Sequence, residues 1–180
     1  WAASTSAPGG HSGGVAYAAD PTSGSCLGDA ADISGRNGLV SPAIPVPAGT
    51  SPRLSFDHYV ATEVGYDGVN VKASVNGGPF TVIPASAYVF NAPGATLATE
   101  AEENTNPMEG EPAFTGTDGG ESKGSWGTSQ VDLTAAGVKP GDLVRMRLDV
   151  GRDGCGGVDG WYVDNLTVTG SKAAADLTAV

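Results

Sequence analysis

Residues 151–168 read GRDGCGGVDGWYVDNLTV, and this stretch decides the fold. Its second half begins as a strand of period two, with Trp161 and Val163 on one face and Tyr162 and Asp164 on the other. The next apolar residues are Leu166 and Val168, one position out of phase. A one-residue slip of this kind predicts a β-bulge, and it falls at Asp164–Asn165, two oxygen-bearing side chains. Bulges re-aim side chains, often beside functional sites, so this is the first place to expect a metal. The first half of the stretch is a loop of glycine and aspartate around Cys155.

Outward from this strand the same period recurs. Residues 143–150 place Val144, Met146, Leu148 and Val150 on one face and Arg145, Arg147 and Asp149 on the other. Residues 53–61 alternate through Leu54, Phe56, His58 and Val60, and 69–75 through Val69, Val71, Ala73 and Val75. The latter runs into Asn76-Gly77-Gly78, a hairpin signal, and returns through 80–83. Further strands are expected at 14–19, 39–46, 87–90 and 125–133, with a Pro-Gly turn at Lys139–Asp142. Residues 91–124 lack apolar periodicity and carry Glu100, Glu102, Glu103, Glu109 and Glu111, which marks a long acidic loop. Residues 1–14 read as an extended lead-in and 171–180 as a tail or linker. Eight or nine short strands, irregular spacing and no long helix predict one all-β domain over 1–170, an antiparallel β-sandwich of jelly-roll type.

The 180 residues include 28 glycines, a content that suits a turn-rich all-β chain. Nine basic against twenty acidic residues give a net charge of −11, which argues against nucleic acid or an anionic membrane face and favours cations or basic partners. No apolar run approaches a membrane span. The chain opens at Trp1 without Met or a signal segment, which predicts a mature fragment or a piece of a longer protein. Cys26 and Cys155 are either two separate buried thiols or a bridge. Both sit in Gly/Asp loops and not in apolar runs, which favours a disulfide and, with it, secretion.

Gly120-Glu121-Ser122-Lys123-Gly124 matches the nucleophile-elbow pattern, but neither His11 nor His58 follows Ser122, and no helix signal follows the serine. No catalytic residue is assigned. Two isolated histidines cannot build a zinc site, and no phosphate loop is present. His58 lies on an apolar strand face, as a hydrogen-bonded core residue would. Calcium takes six to eight oxygens, and the chain offers carboxylates in glycine-rich turns at Asp67-Gly68, Asp118-Gly119, Asp153-Gly154 and Asp159-Gly160. Glu63 and Asp67 flank one short loop, and Asp57 lies on the polar face of the strand before it. Asp-Gly pairs also simply make turns, so both readings stand at this point. Trp1, Trp126, Trp161, Tyr59 and Tyr66 either stack on sugars or fill the core, and the strand settings of Trp126 and Trp161 favour the core. Asn165-Leu166-Thr167 is formally a glycosylation acceptor, but its place within a strand predicts that it is silent.

Three runs together carry a resemblance: LSFDHYVATEVGYDGVNVKASVNGG (54–78), AFTGTDGGESKGSWGTSQVDL (113–133) and VRMRLDVGRDGCGGVDGWYVDNLTV (144–168). They resemble the MAM-like jelly-roll domains appended to secreted bacterial metallopeptidases of the immune inhibitor A and fungalysin types. The resemblance spans most of 39–169, and the GWYVDNLTV ending is its most specific part. It implies a non-catalytic accessory module of a secreted zinc protease, with the parent catalytic domain as a partner and a protein or carbohydrate as ligand. It also implies a calcium ligand at Asp164, with Asn165 standing where a second Asp is usual, and it matches Glu63 and Asp67 to acidic positions. The expected metal ligands are therefore Asp164, Asp57, Glu63 and Asp67. A lectin-like sugar-binding module is the alternative, ahead of a free-standing hydrolase.

Overall fold

The computed structural model describes residues 1–49, 51–118, 122–170 and 178–179. Its strands are β1 (Ala2–Ser4), β2 (Val15–Ala19), β3 (Gly35–Val40), β4 (Ile44–Pro45), β5 (Arg53–Ala61), β6 (Gly68–Val75), β7 (Thr81–Val82), β8 (Tyr88–Phe90), β9 (Ala95–Thr96), β10 (Pro112–Ala113), β11 (Trp126–Asp132), β12 (Leu143–Arg152), β13 (Gly160–Thr169) and β14 (Thr178–Ala179). One sheet has the order β1-β2-β13-β5-β11-β8 and the other β14-β3-β12-β6-β7, with β4 also on β12. Every pairing among them is antiparallel. The long strands β5, β6, β11, β12 and β13 alternate between the two sheets, so the chain winds as a jelly-roll sandwich. No helix among the described residues is long and apolar enough to cross a membrane.

The alternation read from the sequence is the alternation that fills the core. Leu54, Phe56, Val131, Trp161 and Val163 from one sheet meet Val69, Val71, Met146, Leu148 and Val150 from the other, all buried in one cluster. Burying each such side chain stabilises by roughly 1.5–3 kcal/mol. The phase slip in β13 is a bulge. Asp164 pairs with Asp57 and Thr167 with Ser55, so three steps along β13 match two along β5. Asn165 takes up the extra residue at φ 50°, a backbone region that Asn tolerates better than most residues. The bulge returns Leu166 and Val168 to the core side, where both pack against the main cluster.

Three stretches depart from the expectations. Residues 2–4, placed in a lead-in, pair with β2. The expected tail lies largely outside the described residues, but Thr178 and Ala179 pair with β3. The acidic stretch is an ordered cover on the outer face of β6. It contains the β9–β10 pair, a capped 3₁₀ turn at Glu100–Glu102 and a small core of Leu97, Met108 and Ala113. Glu111 pairs with Lys72 at 2.6 Å, and Lys72 also lies 3.2 Å from Asp149. This cover explains why β6 is buried on both faces although Asn70, Lys72 and Ser74 are polar.

The other sheet carries an aromatic row on its outer face. Tyr17, Tyr162, Tyr59 and Trp126 stand in register across β2, β13, β5 and β11. The Trp126 indole donates to the Pro8 carbonyl at 2.9 Å, and the His11 ring stacks on it with centroids 4.0 Å apart. Residues just after β1 therefore fold back over this row.

Candidate metal centre

The chain brings four carboxylates together at one end of the sandwich, each delivered by the end of a strand. Asp20 follows β2, Glu63 and Asp67 flank the turn between β5 and β6, and Asp153 follows β12. Carboxylate oxygens of Glu63, Asp67 and Asp153 lie within 4.8 Å of one another. Asp20 joins them through backbone contacts, its Oδ2 accepting from the Glu63 N–H at 3.3 Å and the Val158 N–H at 3.2 Å. The Glu63–Asp67 turn is tight. The Asp67 N–H donates to the Glu63 carbonyl at 3.1 Å, and the Thr115 hydroxyl reaches the Asp67 carbonyl at 2.6 Å. The acidic cover clamps the same turn, since Asn104 and Asn106, both buried, donate to the Tyr66 carbonyl at 3.1 and 2.8 Å.

One oxygen on each of three of these carboxylates has no donor. Asp20 Oδ1, Glu63 Oε2 and Asp67 Oδ2 are out of contact with solvent and unpartnered. Asp20 and Asp67 are each only 1% exposed. Leaving a buried charged group unsatisfied costs several kcal/mol, so such a cluster needs a compensating cation or protons. The acidities agree. Burial, and then Asp20, push the Asp67 carboxyl up to about 9. Burial and then Asp153 and Asp20 raise Glu63, and burial and then Asp20 and Asp32 raise Asp153 against an opposing hydrogen bond from Cys155. Gly157 is required here, because a Cβ on it would overlap the Asp20 carboxylate and the Pro21 carbonyl.

The four ligands expected from sequence do not form one site. Glu63 and Asp67 are in the cluster. Asp57 and Asp164 face each other across β5 and β13 on the outer face, Asp57 four residues and roughly 13 Å of strand before the end of β5. Their oxygens are occupied. Asp57 accepts from the Thr128 hydroxyl and, at 2.8 Å, from the Asn165 side-chain amide. These donors hold its carboxyl below the usual range. Asp164 accepts from the Asn165 N–H at 2.7 Å and meets His11 Nε2 at 2.8 Å. The bulge thus serves the sheet, with Asn165 tying the two aspartates together. Asp20 and Asp153 are the cluster members outside the expected ligand set, Asp153 being legible only as one of several Asp-Gly turns. Each lies on the loop of one cysteine, so the expected bridge was itself a signal that the two acids meet.

Cys26 and Cys155 form that disulfide, closing a sequence separation of 129 residues. In the chain-entropy account a loop of this length stabilises by about 5 kcal/mol. Ser122 is exposed, and residues 120–121 of its motif lie outside the described residues. Both histidines are engaged elsewhere. His58 Nδ1 lies 3.2 Å from the Trp161 indole N–H, which can only donate. The proton of neutral His58 therefore sits on Nε2 and points to Ser129 Oγ at 2.9 Å, whose hydroxyl donates to the Asn91 carbonyl at 2.8 Å. Burial lowers the His58 pKa to about 4, so it is a neutral core residue.

No known family's sequence profile matches the chain, and no curated protein matches it significantly.

Proposed function

We propose that this domain is a non-catalytic accessory module of a secreted protein, stabilised by calcium held between Asp20, Glu63, Asp67 and Asp153. The observation that carries the reading is the set of three buried oxygens without donors, on Asp20, Glu63 and Asp67, converging beside Asp153. The donors are all hard oxygens. Histidine is absent from the cluster, and the nearby sulfurs are tied in a disulfide, which disfavours zinc and softer metals. Bound there, calcium neutralises the charges that converge where β2, β5, β6 and β12 end, and so holds four chain segments together.

The disulfide supports an oxidising, extracellular setting. The resemblance to MAM-like domains of secreted metallopeptidases supports a place beside a protease catalytic domain, positioning substrate, binding a surface, or stabilising the enzyme. The sugar-binding alternative has less support, because Trp1, Trp126, Trp161, Tyr59 and Tyr66 are all buried or half-buried and offer no open platform. Calorimetric titration of EDTA-stripped protein with calcium tests the metal reading. Saturable binding of one ion, with a rise in melting temperature, is the expected result; no heat and no shift would sink it.

A further inference from the structure

We propose that the Cys26–Cys155 disulfide controls the cation site, so that calcium affinity and the redox state of the bridge are thermodynamically linked. This rests on reading the carboxylate cluster as a calcium site. The two sulfurs and an Asp153 oxygen lie within 4.8 Å of one another. The Cys26 sulfur is 3.8 and 3.9 Å from the two Asp153 oxygens, and as a disulfide sulfur it has no proton to donate. Asp153 is pinned from both sides. Its Oδ1 accepts the Cys155 N–H at 2.9 Å, and its own N–H donates to Asp67 Oδ1 at 2.6 Å. The bridge therefore sits one hydrogen bond from one proposed ligand and two from another.

The bridge also holds the loop between Asp20 and β3. Residues 22–24 and 26–31 of that loop are exposed, so the hydrophobic core does not hold them. The ties beyond the disulfide are few. The Ile33 N–H reaches the Gly154 carbonyl at 3.4 Å, and the Arg152 Nε–H donates to the Ile33 carbonyl at 2.8 Å. Gly24 and Gly154 let the two backbones touch, since a Cβ on either would overlap the opposite carbonyl. A cleft of about 720 Å³, lined by Cys26, Leu27, Glu63, Tyr66 and Asp153 among others, reaches the Cys26 side of the bridge and the outer edge of the carboxylate cluster at Glu63 and Asp153.

Reduction by a dithiol would free this loop. The dithiol's thiolate attacks one bridge sulfur, its second thiol resolves the mixed disulfide, and the reductant leaves as a cyclic disulfide. Cys26 and Cys155 are left as thiols, with the two protons taken from the reductant. The Cys155 N–H that holds Asp153 then belongs to a loop no longer fixed to Cys26, Asp20 loses the covalent tie that follows it, and the ion is held by a looser set. Linkage is reciprocal, so calcium must disfavour reduction by the same factor by which reduction weakens calcium.

The test uses calcium as the probe. Calorimetry is run on oxidised protein and on the C26S/C155S variant, with circular dichroism as the check on folding. Oxidised protein is also equilibrated in dithiothreitol redox buffers with calcium or with EDTA. Calcium affinity about tenfold weaker or more in the folded variant, and a bridge midpoint that saturating calcium lowers by about 30 mV for each tenfold of that affinity difference, support the proposal. Should the variant not fold, the redox titration of the natural protein decides alone. Calcium binding that is equally tight in both proteins, or a midpoint unmoved by calcium that does bind, overturns the linkage while leaving the metal site standing. Oxidised protein that binds no calcium overturns both.

Discussion

Two groups of acids, one within strands and one just past strand ends, differ in whether their oxygens find donors. Asp57 and Asp164, in the middle of β5 and β13, have donors from Thr128, Asn165 and His11. Asp20, Glu63 and Asp67, past the strand ends, each keep an oxygen with none. Thr128 and Asn165 depress the Asp57 pKa, whereas burial and neighbouring carboxylates raise those of Glu63 and Asp67. The lesson is that a cation site is marked by missing donors. Both groups offer carboxylates, but only the one with buried oxygens that lack donors calls for a cation or protons.

The sharpest test of this contrast is a change of sign. Asp67→Asn removes a carboxyl that, buried without a cation, must take up a proton for the chain to fold, so in EDTA it should raise the melting temperature, while in calcium it should lower it. With micromolar affinity, about 1 mM calcium stabilises by about 4 kcal/mol, near 10 °C for a chain of this size, and the variant should lose most of that gain. A drop of equal size in both conditions would break the comparison. Thermal denaturation followed by circular dichroism reads both cases.

Acid should expose the other buried titratable group. His58 has a folded pKa of about 4 against an unfolded value near 6.5, so its contribution is fully present above about 6.5 and is lost as pH falls towards 4. That window is worth about 3 kcal/mol. Urea denaturation across it should show the natural protein losing about 3 kcal/mol relative to His58→Gln on acidification, since the raised Asp67 carboxyl, which gains stability as pH falls, is common to both. An unchanged slope in the variant would place the pH dependence elsewhere.

Gly157→Ala should push a methyl group into the Asp20 carboxylate and weaken calcium binding about tenfold, read by calorimetry, while Gly137→Ala, where a Cβ meets nothing, should leave the affinity alone. The smallest effect belongs to Asp57→Asn. It disturbs the hydrogen bonds from Thr128 and Asn165 and should cost about 1 kcal/mol, equally with and without calcium. A calcium-dependent loss at Asp57 would put the metal at the bulge after all.

Much of the fold was legible in the chain. The alternation of β5, β6, β12 and β13 named the buried faces, and the slip at Asp164–Asn165 named the bulge, because a strand's two-residue period ties sequence position to face. The bridge was legible from the loops that carry its cysteines. Half of the carboxylate cluster was legible as well, since Glu63 and Asp67 share one short turn and proximity there is local. Asp20 and Asp153 were not, because each is distant in sequence and looks like an ordinary turn residue. What the acidic stretch covers was not legible for a related reason. Its anchors Asn104, Asn106 and Glu111 act on Tyr66, Asn70 and Lys72, partners that no periodicity connects to them.

The sequence by itself determined which residues face the core, where the last strand bulges, and that carboxylates would crowd the turns. Those are properties of local geometry, set by side-chain period and backbone preference. Only the tertiary structure decided which carboxylates receive hydrogen bonds and which are buried without them. That outcome depends on where four strand ends and two bridged loops converge, and burial without a donor arises only when distant segments close over the same point.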